Sequence, residues 1–206
     1  MKKLLLTCFS ILIATASFAQ CADSTLIYTF KFKNKKYEIV KELKTWEAAA
    51  KCAVERGGYL TEINSKEEQT AIFNAVIKEA KIPTNYISVS TGGGIAYIWL
   101  GATDKKTEGT WLWNGKNETS GINFWRGEGA NGSGNGTPVL NAYTNWGGTS
   151  KGKPNEPDNF GLVQNCAAMA LTGWPTKTSN LGTAGEWNDL LCATKLFFII
   201  EYNEQE

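Results

Sequence analysis

Between Lys151 and Asp189 the chain gathers hard oxygen donors: Asn155, Glu156, Asp158, Asn159, Gln164, Asn165, Asn188 and Asp189. Calcium takes about six to eight oxygens from carboxylates, amide carbonyls and water, and this stretch is rich in those groups. Pro157 separates Glu156 from Asp158, removes one amide donor and fixes the local backbone. A cis bond before it would aim both acid side chains toward one point. Asn, Asp and Pro also populate turns for backbone reasons alone, so composition does not decide between an ion site and a loop. No run has the D-x-[DN]-x-[DN]-G spacing of an EF-hand. A bond between Cys166 and Cys192 would tie this loop to the segment carrying Asn188 and Asp189.

Other chemistries are excluded more firmly. The chain has no histidine, which removes Ser-His and Cys-His catalysis and the commonest zinc ligand. Glu156 and Asp158 could in principle form a glycosidase pair. They stand two positions apart in a loop suited to metal, with no further acid or base nearby, so the chain is not read as an enzyme. No cysteine pair has CxxC spacing, which argues against thioredoxin-like or zinc chemistry. Without Lys2 and Lys3 the charge balance is 19 basic against 20 acidic residues. A near-neutral chain without a basic patch does not suit nucleic acid.

Residues 1–19 read as a signal peptide: Lys2 and Lys3, an apolar stretch from Leu4 to Ala16, then Ser17-Phe18-Ala19. It is shorter than the roughly 20 apolar residues of a membrane span, and no later segment is long enough. Gln20 before Cys21 fits a lipoprotein signal poorly. The expected location is therefore secreted, periplasmic or extracellular, with an outer-surface lipoprotein disfavoured. Residues 20–206 form one domain. Export makes disulfides plausible, and Cys21, Cys52, Cys166 and Cys192 admit more than one pairing.

The elements that must position the donors follow from pattern. Tyr28–Phe32 alternates as a strand, and Tyr37–Val40 follows a turn at Asn34-Lys35-Lys36. Thr45 caps a helix from Trp46 to Arg56, stopped by Gly57-Gly58. Ser65 and Glu68 form a capping box for a second helix to about Ala80. Beyond Ser90 no helical period survives. Tyr97–Leu100 and Trp111–Trp113 read as strands, and Leu196–Tyr202 as a closing strand buried on both faces at its centre. Gly127–Gly136 (GEGANGSGNG) reads as a flexible surface insertion, since it lacks the lysine and strand–helix context of a phosphate loop. Two early helices followed by short strands and polar loops give an α+β class.

The order of motifs resembles the C-type lectin-like domain over nearly all of residues 20–206. Trp46-Glu47-Ala48-Ala49-Ala50-Lys51-Cys52 is similar to that family's first helix, and Gly58-Tyr59-Leu60, Ile63 and Glu67-Glu68 to the approach to its second. Trp99-Leu100-Gly101-Ala102 resembles its core strand, with Thr103-Asp104 and Glu108-Gly109-Thr110-Trp111 after it. Tyr143-Thr144-Asn145-Trp146, Pro154–Asn159, Gln164-Asn165-Cys166, Gly185–Asp189 and Cys192 complete the series. The resemblance implies two helices, short antiparallel sheets and a long calcium-binding loop region. It implies a calcium ion, held by Glu156, Asp158, Gln164, Asn188 and Asp189, to which sugar hydroxyls bind directly. The carbohydrate contacts would be Glu156, Asp158, Phe160, Gln164 and Asn188. Relative to the family's usual set, the second ligand has become Asp158 and the third Gln164, which keeps three carboxylates. A second calcium site would map to Asp104, Glu108, Asn159 and Asn165. Two of these are amides where acids are usual, so that site is expected to be weak or empty.

The expected partner is a glycan. Glu156-Pro157-Asp158 is half of the mannose-type Glu-Pro-Asn and half of the galactose-type Gln-Pro-Asp. Both side chains, once ionised, only accept hydrogen bonds, and Gln164 supplies a donor nearby. Phe160 stands near where galactose-type members place a stacking Trp, which favours galactose-like over mannose-like sugars. The competing reading is a calcium-stabilised adhesion module that recognises a cell-surface protein and no sugar. The resemblance also implies a Cys166–Cys192 disulfide. Ile200 replaces the last-strand cysteine that normally pairs with Cys52, which leaves a Cys21–Cys52 bond, favoured, or a buried free thiol.

Overall fold

The computed structural model describes residues 21–149 and 152–203; the expected signal peptide at 1–19 lies outside them. The expected α+β class is observed, with two α-helices against one connected mixed sheet. Strands β1 (Ile27–Phe32) and β2 (Lys35–Lys44) form the first hairpin, and helix α1 (Trp46–Glu55) follows. Thr45 Oγ1 accepts from Ala48 N at 3.3 Å, the N-cap read from the sequence. After β3 (Tyr59–Leu60) comes helix α2 (Lys66–Asn74), continued by a π-helical turn at Ala75–Glu79. Ser65 Oγ caps Glu68 N at 3.2 Å, while the Glu68 carboxylate reaches back to Asn64 N at 2.7 Å. That return bond falls one residue earlier than in the usual capping box.

Seven further strands carry the second half: β4 (Tyr97–Thr103), β5 (Thr110–Trp113), β6 (Ile122–Arg126), β7 (Thr137–Pro138), β8 (Cys166–Ala170), β9 (Trp187–Leu190) and β10 (Leu196–Tyr202). The sheet runs β1-β2-β10-β4-β5-β6-β7, with β3 on β10, β8 on β4, and β9 on β8. The expected all-antiparallel pairing is corrected at one place: β10 and β4 are parallel, Phe197 opposite Ile98 and Phe198 opposite Trp99. The long connection between β4 and β10 lets the chain return in the same direction. Every residue of β4 is buried, because β10, β5 and β8 all pair with it. Gly101 makes the close approach possible, since a Cβ there would lie 2.3 Å from Leu60 O.

The core forms two clusters on either side of this sheet. One surrounds Trp111, Trp113, Phe124, Trp146 and Trp187, whose rings meet edge-on or stacked at centroid distances of 4.4–5.8 Å. Such aromatic pairs add to area burial by about 0.5–1.5 kcal/mol each. Trp187 also donates Nε1 to Gln69 Oε1 at 2.7 Å, fixing β9 to helix α2. Cys166–Cys192 is present, and Cys21–Cys52 is the second disulfide, with Cα–Cα separations of 5.2 and 5.4 Å.

Gly127–Gly136 is corrected from a free insertion to a packed hairpin tip between β6 and β7. Asn135 Oδ1 accepts from Glu128 N at 3.0 Å and from Ser133 Oγ at 2.8 Å, and Gly136 N donates to Glu128 O at 2.7 Å. These bonds close the loop on itself, while other amides of the loop donate to neighbouring segments.

Candidate functional site

Two strands and one loop converge. Strand β9 pairs with β8, setting Asn188 opposite Ala168 and Asp189 opposite Ala167. The Cys166–Cys192 bond joins the first residue of β8 to the chain just after β9. The loop enters through Gly147, whose carbonyl accepts from Asn155 N at 2.8 Å and whose amide donates to Trp187 O at 2.8 Å. The Glu156–Pro157 peptide is cis. The Asp189 carboxylate, fully buried, then accepts from Asp158 N at 3.1 Å and Asn159 N at 2.8 Å. One aspartate thus fastens the acidic loop to the strand.

Glu156, Asp158 and Asp189 each place one carboxylate oxygen within 4.8 Å of the others. None of them has an ion pair with a lysine or arginine among the described residues. Glu156 is buried; Oε1 accepts from Trp174 Nε1 at 3.4 Å, and Oε2 has no partner. Burial pushes the Glu156 carboxyl well above the carboxylate range, with the charges of Asp189 and Asp158 adding to it. Burial and the Asp158 charge raise Asp189 to about 8. Asp158 is also raised, first by burial. Uncompensated buried charge costs several kcal/mol per ion. This arrangement is therefore completed either by protons or by a cation.

The amide donors sit around the same cavity, about 210 Å³ in volume, lined by Glu156, Asp158, Phe160, Gln164, Trp174 and Asn188. Gln164 Oε1 accepts from Phe160 N at 2.9 Å, and its Nε2 donates to Thr91 O at 3.2 Å. Asn188 donates Nδ2 to Tyr97 Oη at 3.0 Å. Each amide oxygen has two lone pairs, so both side chains keep acceptor capacity. Phe160 is 63% exposed and borders the cavity. The donor set fits a hard divalent cation: three acids carry the charge, two amides add neutral oxygens, and the orphaned Glu156 Oε2 lacks what a cation would supply.

All five expected ligands and Phe160 line this cavity or join its acid cluster. The expected second group is brought together only in part. Asn165 Nδ2 donates to Asp104 Oδ1 and to Glu108 Oε2, both at 3.1 Å, so an amide N–H bridges the two acids. Burial raises Asp104 to about 7, against the bond from Gly109 N. Asn159 turns to the primary site, where Oδ1 accepts from Gln164 N at 3.1 Å. Sequence reasoning did not find Trp174, Thr91 or Tyr97 as supports of the site. They arrive from distant segments, and no local spacing announces them.

The chain matches the Lectin C-type domain family over residues 41–201. It is 26% identical over 164 residues to a perlucin-like protein of Mytilus galloprovincialis, covering 80% of this chain and 73% of that protein. It is 27% identical over 166 residues to salivary C-type lectin 2 of Aedes albopictus, covering 81% and 82%. The fold is similar to the mouse scavenger receptor C-type lectin carbohydrate-recognition domain, with a TM-score of 0.54, 24% identity and coverage of 86% and 95%.

Proposed function

The chain belongs to the C-type lectin domain family, a family of non-enzymatic binding proteins, and on that premise we propose that it is a calcium-dependent carbohydrate-binding protein. The ion would be held by Glu156, Asp158, Gln164, Asn188 and Asp189. When bound, calcium supplies open coordination positions for a pair of vicinal sugar hydroxyls. The observation that carries this reading is the trio of mutually close carboxylates, two of them buried and one partly buried, with no cationic side chain on them among the described residues and an unpartnered Glu156 oxygen.

The protein's own part is to aim acceptors and donors at the sugar. Glu156 and Asp158 accept from hydroxyls once ionised. Gln164 and Asn188 each have a second amide N–H beyond the one used on Thr91 or Tyr97, and those serve hydroxyl lone pairs. The exposed Phe160 ring stands where it can cover the apolar face of a sugar, which supports galactose-like over mannose-like ligands. Both disulfides suit an oxidising compartment, and one relative is named a salivary lectin; both support a location outside the cell. The Cys21–Cys52 disulfide uses the sulfur that a lipid anchor would need, which supports a secreted over a lipid-anchored chain. Among the described residues no helix is long and apolar enough to cross a membrane.

The test is retention on immobilised galactose and mannose in calcium, with release by chelator. A glycan array blank in calcium overturns the sugar reading. The acceptor-only Glu156/Asp158 pair favours one rival, a calcium-stabilised adhesion module that recognises a cell-surface protein. A melting temperature raised by calcium, with no glycan retained, selects that rival.

A further inference from the structure

We propose that the glycine-rich loop Gly127–Gly136 is a clamp that positions the ion loop, and that Gly129 is its central positioning residue. For its effect on calcium this rests on the reading above. The segment Pro154–Pro157 has two prolines, hence two missing amide donors, and cannot pair its backbone as a strand does. Its carbonyls need outside partners. The glycine-rich loop supplies them in register: Gly129 N donates to Pro157 O at 2.6 Å, Ala130 N to Pro154 O at 2.7 Å, and Asn131 N to Asn155 O at 3.2 Å. These three bonds bracket Glu156 on both sides.

The contact requires glycine. A Cβ on Gly129 would lie 2.4 Å from Asn155 O, 2.5 Å from Asn155 C and 2.6 Å from Glu156 O. Those are backbone atoms, which no rotamer change can move aside. The loop is itself anchored at its base, where Gly127 N donates to Gly109 O at 2.7 Å and Trp125 Nε1 to Gly127 O at 2.8 Å. It therefore transmits a fixed position from strand β6 to the backbone that carries Glu156 and Asp158. Gly134 joins the loop only through its backbone, its N–H donating to Gly129 O at 2.9 Å, and at φ +70° has nothing within 4 Å of a Cβ, so a side chain there meets no part of the ion loop.

Three variants of the whole chain test this by calorimetric titration with calcium chloride and by amide hydrogen exchange in chelator. Gly129→Ala should weaken calcium at least tenfold. In the calcium-free protein it should speed exchange at Asp158 and Asn159, which donate to Asp189, by a similar factor. Gly134→Asn, a residue that tolerates a left-handed backbone, should match wild type within twofold in both. If Gly129→Ala does not fold, Asn135→Ala decides the question. It opens the loop without adding bulk and should weaken calcium about threefold. Unchanged exchange and affinity in the folded variant overturn the clamp. A wild type that takes up no calcium refutes the functional reading alone, because the exchange comparison still supports or overturns the clamp.

Discussion

Two regions of this molecule bury carboxylates, and they satisfy them in opposite ways. Around β2 and β10, every buried acid has a protein cation. Glu201, fully buried, receives Lys35 Nζ at 2.6 Å, Tyr59 Oη at 2.9 Å, Thr61 Oγ1 at 3.1 Å and Glu62 N at 3.0 Å. Glu38 receives Lys36 at 2.9 Å, Arg56 at 2.8 Å and Tyr202 at 2.7 Å. Around β9 and the Pro157 loop, Glu156, Asp158 and Asp189 share a site that no lysine or arginine pairs with among the described residues. The first arrangement is complete as folded and serves stability. The second is left short of positive charge, which the family's calcium would supply. Burial alone does not mark a binding site; burial without compensation does.

The largest test of this contrast is Glu201→Ala. It leaves the Tyr59, Thr61 and Glu62 N donors without their acceptor, while Lys35 keeps Glu68 at 3.2 Å; unsatisfied buried donors cost about 1–3 kcal/mol each. For a domain of this size each kcal/mol moves the melting temperature by roughly 2–4 °C. A thermal melt should fall accordingly, while calcium affinity in titration stays within a few-fold of wild type. Asp189→Asn should do the reverse. It removes one charge from the unpaired trio and should weaken calcium by about 100-fold, since hydrogen bonds and contacts to charge are worth roughly 1.5–3 kcal/mol each. Its chelator-treated stability should change far less than that of Glu201→Ala.

Acidity separates the regions by sign. For Glu38, burial is the largest influence and pushes upward, yet the bonds from Arg56, Lys36 and Tyr202 outweigh it and hold the carboxyl at about 2, below its ordinary 4.5. Its stabilisation is present above pH 4.5 and is lost as pH falls toward 2. Asp189, raised by burial and by Asp158 to about 8 from 3.8, behaves oppositely. The folded, calcium-free state takes up its proton first, so stability rises as pH drops from 8 toward 4. Melting in chelator should therefore climb by roughly ten degrees, on the order of 3–4 kcal/mol, between pH 8 and 5, and decline below about pH 4. Saturating calcium should flatten or reverse the upper limb, because the ion competes with those protons.

The smallest effect concerns the other acid pair. Asn165→Asp replaces the amide that bridges Asp104 and Glu108 with a third acid. Stability in chelator should fall by about 1 kcal/mol. A second, weaker calcium step should appear in titration, where wild type should show only one.

Much of this was legible in the sequence, for identifiable reasons. Thr45 and Ser65 announce their helices because capping is local, and Tyr97–Leu100 announces its strand because an apolar run bounded by polar loops has few other uses. The acids and amides that gather around the cavity were legible as motifs in order. Strand β8 was not: Cys166-Ala167-Ala168-Met169-Ala170 has helical propensity, overridden by pairing with β4 on one side and β9 on the other. Strand β6 was hidden for a similar reason, since Ile122–Arg126 gains its identity from β5 and β7. The glycine-rich loop misled because glycine signals freedom in isolation, whereas here it permits backbone contact. Thr91 supports Gln164 from 73 residues away and Tyr97 supports Asn188 from 91, while Trp174 reaches Glu156 across 18, and only tertiary structure joins them.

The most direct test of the central claim is a calorimetric calcium titration of the wild-type chain at neutral pH, paired with a thermal melt in calcium and in chelator. The expected result is a saturable binding step of one ion per chain, with proton release and a higher melting temperature in calcium. No binding heat together with superimposable melts would contradict it, and would mean that Glu156, Asp158 and Asp189 are completed by protons and not by an ion.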